Sequence, residues 1–186
     1  MLEFVPVVIS MLRGVNVGGH NKIKMDALRE LCESLGLRGV QTYVQSGNVV
    51  FRTDTKDLAA LAKRIEDAIE RKFGFRPGVT LRTSSDLRDV IARNPFAKRR
   101  EIDASKLIVT FLAAEPNRET RDEILEIKTA PEEVRIGGRE IYIYFPDGMG
   151  QSKLWPVIDK ALKKSGTGRN WNTVTKLLEM AEKLEG

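Results

Sequence analysis

The alternation of apolar runs and helical patterns over the first 83 residues is the feature that most restricts the fold. Six elements are expected there, in the order strand, helix, strand, strand, helix, strand. Their approximate ranges are 7–12, 25–35, 39–44, 48–53, 56–72 and 75–82. This order is typical of the ferredoxin-like α-β plait. We therefore expect residues 1–83 to form an N-terminal ferredoxin-like βαββαβ domain.

The second half shows a similar order of elements without a repeat of the sequence. A short helix capped by Ser84 or Ser85 comes first, and two glycines at 137–138 predict a tight hairpin. The other predicted elements are a strand at 107–112, a helix near 118–128, a strand ending at 145, and helices near 153–164 and 171–184. We expect residues 84–186 to form an incomplete βαββα plait, whose last strand is missing or replaced, with an extra C-terminal helix. The fold class is α+β.

Composition limits the functional classes. The chain has 186 residues, of which 41% are hydrophobic and 31% charged, as in ordinary globular proteins. No apolar run approaches the roughly 20 residues that a membrane helix needs. A single cysteine fits a reducing compartment, so a cytoplasmic location without a membrane partner is expected. That residue, Cys32, shares a predicted helix face with leucines, which indicates a buried, inert thiol.

The loop of residues 13–22 concentrates polar groups around three glycines. It carries two cations, two asparagines and the single histidine of the chain. Glycine allows positive φ and close approach of another group to the backbone. The first 82 residues also hold 13 basic and 9 acidic side chains, a net charge of +4 out of +5 for the whole chain. These features favour a polar or anionic guest, although asparagine and glycine also serve as simple turn residues.

Plait topology predicts that this loop meets the turn between the second and third strands. The first two strands run parallel with the third antiparallel between them, so the loop and the turn share one sheet edge. A helix N-terminus, which favours anions, opens at the same edge. The candidate ligand-binding residues there are Arg13, Asn16, Gly18, Gly19, Asn21, Lys22, Gln45, Ser46 and Asn48.

Two further polar segments lie in the second half. In the first, glycines precede Ser152 and Lys153 at a helix start, which indicates either an anion nest or a plain helix cap. In the second, Arg169 and Lys176 are not explained by packing and are candidates to reach a ligand. Asn170 is expected to cap the last helix.

Several of these motifs together resemble a known family of uncharacterised bacterial proteins, labelled domain of unknown function 1697. The resemblance rests on Arg13–Gly19 with Asn21, Tyr43–Val49, Asn94-Pro95-Phe96, Pro146–Gly150 with Ser152-Lys153-Leu154, and Arg169-Asn170-Trp171 with Thr173-Val174 and Lys176-Leu177. It implies two plait-like α/β domains in a cytoplasmic protein. It implies no reaction and no catalytic residues.

Three functions remain open. The leading hypothesis is an anion- or phosphate-accepting cleft that binds a phosphorylated small molecule, a nucleotide or nucleic acid. The predicted central strands lack a solvent-facing aromatic pair, so RNA readout on the sheet face is not expected. The second is an enzyme of unknown reaction that uses His20, Asp147, Ser152 or Lys153.

The third hypothesis is a structural or interaction protein in which the strand Ile141–Phe145 pairs at a sheet edge with another copy.

One histidine and one cysteine exclude the usual zinc sites. No cofactor is indicated, and the sequence leaves the oligomeric state open.

Overall fold

A computed structural model describes residues 5–186 of the chain. The described residues divide into two compact units. One contains the residues up to Arg88 together with Lys176–Gly186, and the other is Asp89–Thr175. The sequence-based division at 83/84 assigns residues 176–186 to the second domain, whereas here they group with the first unit.

The first unit contains a four-stranded antiparallel sheet and two helices that follow one another as the sequence predicts. The elements are β1 (Val7–Leu12), α1 (Met25–Ser34), β2 (Arg38–Tyr43), β3 (Asn48–Arg52), α2 (Leu58–Phe73) and β4 (Val79–Thr83). The strand order across the sheet is β2-β3-β1-β4. All neighbouring strands are antiparallel, which makes β1 and β2 parallel to each other.

Apolar spacing explains how the helices pack. In α1 the buried face consists of Leu28, Leu31 and Cys32, at the i, i+3, i+4 spacing of an amphipathic helix. The buried residues of α2 are Leu61, Ile65, Ala68 and Ile69. These two faces join Val8, Leu12, Val49, Phe51 and Leu81 of the sheet in one core. All six residues of β1 are buried, so both faces of this central strand are covered.

The second unit contains a second four-stranded antiparallel sheet. After α3 (Ser84–Ala92), in which the division falls, come β5 (Leu107–Phe111), α4 (Arg118–Glu126), β6 (Glu133–Gly137), β7 (Glu140–Tyr144), α5 (Leu154–Ala161) and β8 (Thr167–Asn170). The last helix, α6 (Trp171–Glu185), follows directly. The strand order is β6-β7-β5-β8, and the α+β class is confirmed.

The prediction that the second sheet lacks its last strand is wrong. Residues Thr167–Asn170 form β8, which pairs antiparallel with β5 over four positions from Ile108↔Asn170 to Phe111↔Thr167. The strand is short and contains Gly168 and Asn170, two residue types that are rare in strands. The hydrogen-bonding partner of β8 is distant in sequence, so local propensity carries no signal for it.

The interaction hypothesis places the strand of residues 141–145 at a sheet edge, whereas its alternate residues are also expected in the buried core. β7 lies between β6 and β5, and all five of its residues are buried. The hairpin between β6 and β7 forms at Gly138, which has φ +65°. The turn ends one residue later than expected, because Gly137 pairs with Glu140. Within the described residues, no helix is long and apolar enough to cross a membrane.

The N-terminus of α3 is capped by a different residue from the one predicted. Thr83 Oγ1 accepts a 3.0 Å hydrogen bond from the Asp86 N–H, and the Asp86 carboxylate accepts a 2.9 Å bond from the Thr83 N–H. This reciprocal pair is a capping box. The expected cap, Ser84 or Ser85, is therefore one or two residues too late.

Candidate functional site

The side chain of Asn16 organises the loop that follows β1. Its Nδ2 donates to the carbonyl oxygens of Ile23 at 2.9 Å and of Gln45 at 2.7 Å. Its Oδ1 accepts from the Ile23 N–H at 2.9 Å. Asn16 has φ +56°, a left-handed conformation that asparagine tolerates better than most residues. The loop and the β2–β3 turn therefore meet at one sheet edge, as the topology predicts.

The rest of the loop closes on itself. The His20 N–H donates to the carbonyl of Val17 at 3.0 Å, forming a tight turn around Gly18 and Gly19. Asn21 Nδ2 donates to the Gly14 carbonyl at 3.1 Å. All three loop glycines have positive φ, between +58° and +77°, which explains why glycine occupies these positions. The two asparagines thus shape the loop.

The turn between β2 and β3 is fixed from inside. Asn48 is fully buried, and its Nδ2 donates to the Tyr43 carbonyl at 3.0 Å and to Ser46 Oγ at 2.9 Å. The Leu12 N–H, at the end of β1, donates to the Gly47 carbonyl at 3.0 Å. Asn48 is therefore a structural residue of the turn, and its side chain does not reach the surface.

Val44 in the same turn has a strained backbone. Its φ is +51°, an unusual conformation for a β-branched residue, and its side chain is 47% exposed. Val17, on the facing loop, is 64% exposed. Val17 follows Asn16 and Val44 precedes Gln45, so each valine is next to one of the two residues that the Asn16–Gln45 hydrogen bond joins. Both leave apolar surface in water beside it.

A cavity of about 640 Å³ opens between the loop, the start of α1, the β2–β3 turn and the end of α2. It falls within the roughly 300–1,000 Å³ that is usual for small-molecule sites. Most of its surface is apolar, and polar and cationic residues supply the remainder. The lining residues are Asn16, Gly19, Lys22, Ile23, Lys24, Ala27, Gln45 and Phe73.

The charged residues that line this cavity in the described part of the chain are both basic. They are Lys22 and Lys24. Over the described part of the chain, neither lysine has a carboxylate within salt-bridge distance. By contrast, Arg76 in the same unit contacts three carboxylates. The nearby Asp26 is exposed and lies 3.6 Å from Arg29, on its own helix.

The candidate ligand-binding residues of the loop and of the β2–β3 turn are brought together only in part. Asn16, Gly19, Lys22 and Gln45 line the cavity. The other candidates at this edge do not line it: Arg13, Gly18, Asn21, Ser46 and Asn48.

Sequence reasoning missed the cavity residues Ile23, Lys24, Ala27 and Phe73. For Phe73 a signal existed in the topology. β4 pairs with β1 so that Val79 lies opposite Leu12, and the chain must therefore return to this edge soon after α2 ends. For Lys24 the signal in the sequence is its position directly before α1 and two residues after Lys22.

Ser152 in the second unit is part of a helix start. Its Oγ accepts a 3.1 Å bond from the Leu154 N–H and donates to Glu132 Oε1 at 2.8 Å. A carboxylate beside the hydroxyl opposes a second anion there. Lys153 is exposed and precedes α5. The geometry favours the helix-cap interpretation of Ser152, and a ligand role for either residue stays a prediction.

The third polar segment is also engaged within the protein. Arg169 lies in β8, is 9% exposed and donates to the Gly168 carbonyl at 2.9 Å. Burial lowers the pKa of its guanidinium to about 10. Lys176 Nζ lies 3.1 Å from Glu179 one turn along α6. The prediction that Asn170 caps this helix is confirmed, because its Oδ1 accepts a 2.9 Å bond from the Thr173 N–H.

The groups considered for catalysis do not form one cluster within either unit. His20 belongs to the first unit and is exposed, whereas Asp147, Ser152 and Lys153 belong to the second. Burial raises the pKa of the Cys32 thiol to about 12, with a smaller contribution from Glu33, so this thiol is protonated at neutral pH. Across residues 5–186, no group of His, Cys, Asp and Glu side chains is arranged to hold a metal ion.

Comparison with known proteins gives a family and a fold. Residues 6–142 match the family described as "Protein of unknown function (DUF1697)". The C-terminal motifs around Ser152 and Arg169 lie beyond this range. No curated protein matches the chain.

A solved structure of the conserved bacterial protein SP0830 from Streptococcus pneumoniae is similar in fold. The TM-score is 0.75 at 22% identity, over 95% of this chain and 99% of that one. At this level of identity, the similarity concerns the fold alone. Since the sequence match covers most of the chain, the protein belongs to the DUF1697 family.

Proposed function

We propose that the cavity beside the loop of residues 13–22 binds a phosphorylated ligand, either a nucleotide or nucleic acid. The observation that carries this proposal is the pair Lys22 and Lys24 on the wall of a 640 Å³ cavity that no acidic residue among residues 5–186 lines. Two ammonium groups without a carboxylate partner among these residues attract an anion, and the hydrogen bonds to it are charge-assisted.

Backbone groups add to the positive potential. The N-cap position of α1 is Lys24, whose side chain makes no capping hydrogen bond. The first N–H groups of a helix and its dipole favour negative charge. Ala27, in the first turn, lines the cavity. These features support an anion at the α1 side of the cavity.

The sequence pattern also supports a proposal about the fold of the two units and the location of the protein. We propose that both sheets, with strand orders β2-β3-β1-β4 and β6-β7-β5-β8, belong to ferredoxin-like plaits, and that the protein acts in the cytoplasm. The first unit then supplies the binding cavity.

The test is calorimetric titration of the full chain at low salt. The ligands are inorganic phosphate, ribonucleotides and a short single-stranded RNA. We expect binding of at least one phosphorylated ligand, and a loss of affinity of roughly tenfold or more in Lys22→Ala/Lys24→Ala.

The matched control is Lys56→Ala/Lys63→Ala, which removes the same charge from exposed positions outside the cavity. Equal weakening by the two double variants would show that the effect is only one of net charge. If no phosphorylated ligand binds the parent chain, the proposed function is wrong.

A further inference from the structure

We propose that the ligand of this cavity is a single nucleoside phosphate, with its base against Phe73 and Gln45 and its phosphate at Lys22 and Lys24. This inference rests on the proposed function and narrows it to one ligand class. Three observations support it. The first is the volume of the cavity with its apolar residues, and the second is the Gln45 side-chain amide, which makes no hydrogen bond to a described residue. The third is the burial of the central strands of the first sheet.

The cavity is much larger than a bare anion requires. Its volume of about 640 Å³ lies in the range of sites for small organic molecules. Ile23, Ala27 and Phe73 supply an apolar wall, and the ring of Phe73 is only partly buried. Inorganic phosphate would leave these apolar side chains exposed to water. A ligand with a flat ring would cover them and gain the hydrophobic contribution.

The two amide side chains in the cavity differ in what they can offer. All the hydrogen bonds of the Asn16 side chain go to backbone groups of Ile23 and Gln45, so this amide is occupied. The exposed side chain of Gln45 makes no hydrogen bond to any described residue. A free carboxamide presents one acceptor and one donor group side by side. The edge of a nucleobase presents the complementary pair. Gln45 is thus placed to select among bases.

Polymeric RNA is disfavoured by the closed sheet. Plait proteins that bind single-stranded RNA use aromatic residues on an exposed sheet face. Here every residue of β1 is buried, and so is Val50 of β3, which lies outside the core formed with α1 and α2. No stacking surface continues from the cavity along these central strands, so the site is the size of a single nucleotide.

The experiment is calorimetric titration of the full chain with the four ribonucleoside 5′-monophosphates. Inorganic phosphate, the free nucleosides and a ten-residue RNA serve for comparison. We expect one or more monophosphates to bind at least tenfold more tightly than inorganic phosphate and than their own nucleosides. Gln45→Leu should change the relative affinities for the bases about fivefold or more and leave phosphate binding unchanged.

Gln41→Leu is the matched control, because Gln41 is an exposed glutamine of the same unit that does not line the cavity. Phe73→Leu should weaken the monophosphates, whereas Phe75→Leu, which packs against the same core outside the cavity, should not. If either core variant fails to fold, the two glutamine variants still decide the question.

The outcomes separate the two proposals. Phosphate binding as tightly as any monophosphate, or RNA binding without monophosphates, overturns the nucleoside phosphate and leaves an anion site. An unchanged base preference in Gln45→Leu overturns the role of Gln45 as base reader. Absence of binding for all phosphorylated ligands overturns both proposals.

Discussion

The side-chain amide of Asn16 lies 2.7 Å from the carbonyl oxygen of Gln45, and this bond joins the loop after β1 to the β2–β3 turn. The same side chain makes two further bonds to the backbone of Ile23. One residue therefore fixes two walls of the cavity through hydrogen bonds within the protein. Such preorganisation reduces the entropy lost on binding.

Replacement of Asn16 should destabilise the first unit substantially. Asn16→Gly removes three hydrogen bonds without backbone strain, and we expect a loss of about 2–4 kcal/mol in the free energy of unfolding. Asn16→Ala should lose about 1 kcal/mol more, because alanine is strained at φ +56°. Urea denaturation measures both. Asn21→Gly, which removes a single bond from the same loop, is the control and should lose about 1 kcal/mol. Equal losses in all three variants would contradict this role of Asn16.

Gly47 should be far less tolerant of a side chain than Gly14, although both have positive φ. A Cβ on Gly47 would lie 2.9 Å from Leu12 Cβ, whereas nothing lies within 4 Å of one on Gly14. We expect Gly14→Ala to cost about 1–2 kcal/mol from backbone strain alone. Gly47→Ala should cost about 2–5 kcal/mol, since overpacking adds to the strain. Urea denaturation of the two variants compares them, and similar losses would count against the close packing of turn and strand.

Relief of strain at Val44 should stabilise the protein. Asparagine tolerates positive φ better than valine, and the exposed Val44 side chain has little packing to lose. We expect Val44→Asn to raise the free energy of unfolding by about 1 kcal/mol. Val17→Asn, at an exposed valine without positive φ, should change it by less than about 0.5 kcal/mol. Thermal and urea unfolding provide the measurements. A destabilised Val44→Asn would mean that the valine side chain has a packing role.

The buried thiol of Cys32 should make the protein sensitive to alkali. Its pKa in the folded state, about 12, is above the ordinary value of 9.0, so the unfolded chain releases this proton first as pH rises. Stability from this group is complete below pH 9 and is lost as pH rises towards 12. We expect a loss of about 1 kcal/mol between pH 8 and pH 10.

Urea denaturation at the two pH values tests this prediction. Cys32→Ala should be less stable at both pH values, because it leaves a small cavity, but should lack most of the alkaline loss. The native protein at pH 8 should also react with a thiol reagent only as it unfolds. Rapid labelling of Cys32 under native conditions would contradict the burial.

Elements with a clear apolar period could be predicted from sequence, and those held by distant partners could not. The faces of α1 and α2 follow from the spacing of Leu28–Leu31–Cys32 and of Leu61–Ile65–Ile69. β8 has no such period, and its four residues form a strand because β5 offers an unpaired side. The cap at Thr83 was missed because two serines follow it and compete as local signals.

The candidate site could be predicted from sequence only where turn residues or the order of the strands gave a signal. Turn residues mark the loop, and topology brings Asn16 to Gln45. Which of the polar residues face the cavity depends on side-chain hydrogen bonds such as those of Asn16 and Asn48, which no spacing rule supplies. Phe73 is predicted at the end of α2, which the topology returns to this edge of the sheet. Only the packed structure shows that its side chain lines the cavity.

The enclosure of β1 also bears on how this protein could be engineered. Its six side chains have no contact with solvent, so a library that varies residues 7–12 would consist mostly of unfolded chains. Residues 17–22 begin five positions later and are all exposed. A library confined to Val17, His20 and Lys22, which lack positive φ, would change the surface of the loop and keep the glycines and Asn21 that hold its shape.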